Sequence, residues 1–130
     1  MNDIKKIGTM SLIENIKDVK YLPTGVEGDV GPLLFGDHLT SHAMVIPPGF
    51  YPPHAHPMEL LIICVKGSCD IFQGDGTVRG VMNPMSVALI PADAEIGQEV
   101  KGTESCEIIV VVAPKKMSRE EFFSKLESHA

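Results

Sequence analysis

A small all-β barrel closed by one C-terminal helix is the fold class this sequence predicts, on three observations. From about residue 40 to about residue 113 the chain is a series of short apolar runs rich in Val and Ile, each stopped by Gly, Pro or Asp. The runs hold four to seven residues, too few for core helices. A helical start signal stands only near the end, at Ser118.

The runs follow in order. Ala43 to Ile46 ends at Pro47-Pro48-Gly49, Leu60 to Val65 ends at Lys66-Gly67, and Cys69 to Phe72 ends before Gly74-Asp75-Gly76. Thr77 to Met82, Ser86 to Ile90 and Ile108 to Ala113 complete the set, the last two stopped by Pro91 and Pro114. Asp75-Gly76 suits a tight hairpin, because both residues tolerate positive φ. Many short strands at close spacing fit a barrel or two-sheet sandwich, in which closure removes exposed edges. Before residue 40, Val19 to Leu22 and Leu33 to Phe35 read as short strands, and residues 23–32, with three Gly and two Pro, as loop. Ser118-Arg119-Glu120-Glu121 is a capping box, so a helix is expected over about 118–128 with Phe122, Phe123 and Leu126 on one stripe. That helix is expected to pack on the outside of the barrel or on a partner; a lid is the alternative.

The 130 residues make one domain, 1–130, with 44% apolar residues to fill its core. The net charge of -6 and pI of about 5.3 exclude nucleic acid and anionic membrane as principal partners, since both demand clustered Lys and Arg. The densest basic cluster, Lys115-Lys116, reads as a solvated strand exit. No run approaches the roughly 20 apolar residues of a membrane span, and there is no secretory pattern at the start. With three cysteines, an odd number, a reducing cytoplasm is expected. Cys64 and Cys69 flank Lys66-Gly67 symmetrically, so a two-residue hairpin would set them opposite one another as small buried residues. Met44, Met58, Met82 and Met85 are candidates for core filling or soft cavity walls.

Chemistry concentrates in Pro47 to Glu59. Residues i and i+2 of a strand share a face, so His54 and His56 project together and are placed to share one metal ion. Imidazole suits several first-row metals, and Glu59, the nearest carboxylate, would complete a facial set with open positions for substrate or O₂. Gly49, His54, His56, Glu59 and Gly67, followed by Ser86-Val87-Ala88-Leu89-Ile90-Pro91, resemble the two signatures of the cupin family. The first reads Gly, about five residues, His-x-His, three or four residues, Glu, six residues, Gly; the second runs from a turn through an apolar strand into Pro.

The resemblance covers about residues 40–113. It implies a cupin-type double-stranded β-helix, a jelly-roll-like barrel, with a divalent transition metal (Mn, Fe, Ni or Zn) and a small organic ligand inside. It also implies pairing into a homodimer, in which the N-terminal region is placed to extend a partner's sheet. Departures bear on the site. Glu59 follows His56 one residue early, so regular pairing puts Leu60 at the family's carboxylate position and turns Glu59 outward, unless a bulge in the Leu60–Val65 strand corrects it. The family's later His falls on Ile96 and its Gly on Asp93. Glu95, His42 and Gln98 are the candidates to complete a coordination sphere, ahead of His38 and His129. Two functions stay open: a metal-dependent enzyme of oxygenase, isomerase, decarboxylase or lyase type acting on a small organic acid or aromatic compound, or a non-catalytic small-molecule binding or sensing module with a degenerate metal site.

Overall fold

The computed structural model describes residues 3–128. Twelve strands are present: β1 (Lys5–Ile7), β2 (Met10–Leu12), β3 (Leu22–Pro23), β4 (Asp29–Phe35), β5 (Thr40–Ile46), β6 (Gly49–His54), β7 (Glu59–Lys66), β8 (Cys69–Gln73), β9 (Val78–Met82), β10 (Val87–Ile90), β11 (Ile96–Val100) and β12 (Cys106–Ala113). A 3₁₀ turn spans Ile16–Asp18, and the helix α1 spans Arg119–Glu127. β10, β7, β12, β5, β4 and β3 lie side by side in a six-stranded sheet that faces a four-stranded sheet of β6, β11, β8 and β9. All strand pairs are antiparallel.

Strict alternation builds the interior. Along β7, Leu60, Ile62 and Cys64 are buried, and along β12 Cys106, Ile108, Val110 and Val112 are, so both strands turn the same parity inward. These residues join Ile46, Cys69, Met82, Ile90 and Val100 in one core. The opposite parity of the six-stranded sheet faces out. Ala43 and Ile109 are covered there by Val19, Leu33, Tyr21, Ile13 and Ile16, so the N-terminal segment packs against the back of the sheet as a second small core. The N-terminal region expected to extend a partner's sheet holds the β1–β2 hairpin.

Three expectations need correction. Residues 23–32 are not all loop, because β4 begins at Asp29 and its Pro32 pairs with His42. Two strands fall where no apolar run exists: β6, which carries Pro52 and Pro53, and β11. Prolines survive in β6 because it is an edge strand and because the register slips there, Tyr51 opposing Gln98 while His54 opposes Ile96. Finally, Lys66-Gly67 joins strands of different sheets, so Cys64 and Cys69 are not opposite neighbours. Cys69 pairs with Met82, while the Cys64 sulfur lies 3.8 Å from that of Cys106. All three cysteines are buried and free.

The helix cap stands as expected, and a hairpin forms at Asp75-Gly76, though over the four residues between Gln73 and Val78 and with Gly74 rather than Asp75 at positive φ. Gly74 and Gly76 both have positive φ, and Thr77 N–H donates to the Asp75 carboxylate. Ser118 accepts from Glu121 N–H, and the Glu121 carboxylate accepts from Ser118 N–H.

Candidate functional site

Between the sheets lies a cavity of about 640 Å³, within the size range of small-molecule sites. Its walls are largely apolar and include Met44, Met58, Ile62, Ile108 and Val110. Its polar lining includes His42, His54, His56, Gln98, Glu27, Lys116 and Lys125.

His54 ends β6 and His56 follows in the loop before β7, their ring centroids 4.7 Å apart and nearly perpendicular. The His54 Nε2 lies 3.1 Å from the Glu27 carboxylate, and its Nδ1 3.4 Å from the Pro52 carbonyl oxygen. Burial, then the charges of His54 and Lys125, holds His56 below the ordinary imidazole range. His42 reaches the same cavity from β5, in step with Thr40 and Met44. Its Nδ1 is buried without a hydrogen-bond partner among the described residues, and its ring meets Phe122 edge-on at 5.4 Å. Burial, aided by His56, lowers its pKa to about 4, so His42 is neutral at pH 7.

Glu59 and Glu95 do not join this set. Both are exposed and neither lines the cavity. Glu59 opens β7 in regular register with Ala113, and Leu60 pairs with Val112. The bulge of β7 lies at its far end, where Lys66 pairs with Glu107 and Cys64 with Ile108, and so cannot turn Glu59 inward. Leu60 takes the interior place instead. Gln98 is buried against the cavity, His38 sits exposed in a turn, and His129 lies outside the described residues.

The departure at Asp93 has a simple physical basis. Its φ is 68°, the left-handed conformation glycine adopts most easily, and Asp is among the residues that tolerate it. The turn therefore keeps its shape, and Asp93 N–H donates to the His56 carbonyl at 2.7 Å. Ile96 lies directly across from His54 and lines the cavity, so the site presents an aliphatic wall there.

A divalent metal does not fit the donors as arranged. Among the described residues, no group of three or more His, Cys, Asp or Glu side chains is placed to hold one. His54 and His56 offer adjacent imidazoles, but the Glu27 carboxylate already engages the His54 Nε2.

Sequence reasoning missed three parts of the site. Glu27 comes from the loop before β4, where Thr24 Oγ1 accepts from the N–H groups of Val26 and Glu27. Lys116, expected only as a solvated exit, lies at the cavity, as do Phe122, Lys125 and Leu126 of α1. The helix thus packs over the mouth rather than on the far outside. The i, i+3, i+4 spacing of those three residues was the available signal. Of the methionines, Met44 and Met58 line the cavity, Met82 is in the core, and Met85 is 87% exposed.

No protein-family model matches the chain, and no curated protein matches it. Solved structures do. The polyketide cyclase RemF of Streptomyces resistomycificus superposes with a TM-score of 0.68 at 20% identity, over 90% of this chain and 99% of that one. An RmlC-like cupin of Shewanella frigidimarina gives 0.67 at 18% identity, over 93% and 99%. An RmlC-like cupin with a double-stranded β-helix fold from Methanocaldococcus jannaschii gives 0.58 at 16%, over 88% and 91%. The chain has the double-stranded β-helix fold of the cupin superfamily.

Proposed function

We propose that this protein is a small-molecule binding module whose barrel cavity takes one small organic ligand with a largely apolar body. The observation that carries this reading is the cavity of about 640 Å³, apolar over most of its wall, into which three histidines, Gln98 and Glu27 converge. An apolar pocket with a few converging polar groups is the usual form of such a site. His42, neutral and unpartnered at Nδ1, supplies a fixed polar point beside a ligand. The aromatic probe 2-naphthamide tests the reading: it should bind the wild type and lose binding in Ala94→Phe, which fills the cavity wall. Equal binding by the two proteins would overturn it.

A second reading keeps the metal and with it an enzymatic role. It is favoured by the adjacency of the His54 and His56 rings. It requires the His54 Nε2 to leave Glu27. Titration of metal-free protein with Mn²⁺, Fe²⁺, Ni²⁺ and Zn²⁺ tests it, because tight binding lost in His54→Ala and His56→Ala would replace the first reading.

We also infer a homodimer formed at β10. This strand is the edge of its sheet, and Val87 and Leu89 on it are each 61% exposed. Antiparallel pairing of β10 with its own copy about a two-fold axis would satisfy the edge and cover both side chains. Sedimentation should give a dimer that Leu89→Lys converts to monomer; a wild-type monomer at micromolar concentration would refute it. No helix is long and apolar enough to cross a membrane among the described residues. A reducing cytoplasm, the setting expected from the cysteines, agrees with three buried free thiols.

A further inference from the structure

We propose that Lys116 and Lys125 make the cavity selective for an amphipathic organic anion, a carboxylate carried on an apolar or aromatic body. The proposal rests on the reading of the cavity as a ligand site and goes beyond it by naming the ligand's charge.

The protein as a whole is acidic, with 17 Asp and Glu against 11 Lys and Arg. At the cavity the balance reverses. Lys116 and Lys125 line it against one carboxylate, Glu27, and Glu27 is engaged with His54. Lys5, Lys66, Arg79, Lys101 and Arg119 are each paired with a carboxylate, and none of them lines this cavity. Among the described residues, neither Lys116 nor Lys125 has an ion pair.

Position reinforces charge. Phe122, Lys125 and Leu126 share one face of α1, with Leu126 buried and Lys125 exposed at the rim. The charge of Lys125 is close enough to act on His56. Lys116 lies in the link between β12 and α1. The helix that carries Lys125 is fixed by its capping box and by Arg119, which donates to the Leu33 and Pro32 carbonyls. An anion at the rim therefore meets two ammonium groups from a preorganised cap, while its apolar body contacts Met44, Met58 and Val110. An ammonium–carboxylate contact is a charge-assisted hydrogen bond, stronger than the same contact to a neutral amide.

The test compares 2-naphthoate with 2-naphthamide, which share a body and differ in charge, by calorimetric titration. The wild type should bind the carboxylate about tenfold more tightly. The Lys116→Gln/Lys125→Gln double variant should bring the two within about twofold by weakening the carboxylate. Lys17→Gln/Lys20→Gln, altered by the same charge away from the cavity, should keep the preference. Equal affinity for both probes in the wild type, or a preference that survives in the Lys116/Lys125 variant, overturns the anion proposal while leaving the cavity as a ligand site. Binding of neither probe, or binding that Ala94→Phe does not reduce, removes the cavity reading and this proposal with it.

Discussion

His54 and Glu27 meet at the cavity mouth, Nε2 to carboxylate oxygen, at 3.1 Å. The contact depends on a loop whose shape is set by Gly28. Its φ is +86°, and a Cβ there would run into the Val45 carbonyl and Pro47. Gly102 has a similar φ of +84° but open space around it. Gly28→Ala should therefore cost about 3 kcal/mol, strain plus clash, and Gly102→Ala about 1 kcal/mol, strain alone. Urea denaturation of both variants measures the difference; equal losses would mean that the loop yields freely and does not fix Glu27.

Asp93 holds a left-handed turn and tethers His56 through its N–H. Asp93→Gly should leave stability within about 0.5 kcal/mol of wild type, because relief of strain offsets the added freedom of the unfolded chain. Asp93→Val should cost about 2 kcal/mol, since a β-branched residue resists positive φ. Thermal unfolding distinguishes them; a harmless Val would show that the turn tolerates another shape.

Ile96 faces the cavity opposite His54. Ile96→His should supply the missing third imidazole and raise Ni²⁺ or Zn²⁺ affinity on the order of tenfold or more. Calorimetry on metal-free protein checks this. No gain would mean that the backbone of β11 does not present that position to the His54–His56 pair.

His42 makes stability depend on pH in a defined direction. Its pKa is about 4 in the folded protein against 6.5 ordinarily. Between those values the unfolded chain takes up the proton and the folded protein does not. Stability from this group is complete above about pH 6.5, falls as the pH drops toward 4, and levels off below that, a change on the order of 3 kcal/mol. Denaturation of wild type and His42→Leu from pH 7 to pH 4 should show the wild type losing that much more than the variant. Parallel profiles would contradict the burial of a neutral imidazole.

The β architecture was legible because its strands are apolar runs with clear stops, as at Leu60–Val65 before Lys66-Gly67. β6 and β11 were not. The prolines at 52 and 53 argue against a strand until the bulge and the edge position are known, and Ile96-Gly97-Gln98-Glu99-Val100 has no apolar run. Gly97 is needed because the Phe72 ring lies 2.6 Å from where its Cβ would be, a contact that only tertiary structure creates. At the site, His54 and His56 were legible as a pair, although only His54 lies on a strand, and His42 was one of three candidates to join them. The face of Glu59 was open in the sequence because one residue of register decides it, and the regular pairing of Glu59 with Ala113 leaves it exposed. Glu27 and Lys116 come from the loop before β4 and the link before α1, and no local pattern ties those segments to the barrel interior.

The central claim is that a small organic molecule enters the barrel, and the methionine methyl groups report on it directly. Met44, Met58 and Met117 line the cavity, while Met10 and Met85 are exposed elsewhere. Two-dimensional NMR of protein labelled with ¹³C at the methionine methyls, titrated with 2-naphthamide, should show saturable shifts at Met44 and Met58, with Met10 and Met85 unmoved. Saturable binding that leaves Met44 and Met58 unchanged, or no binding at millimolar probe, would contradict the account.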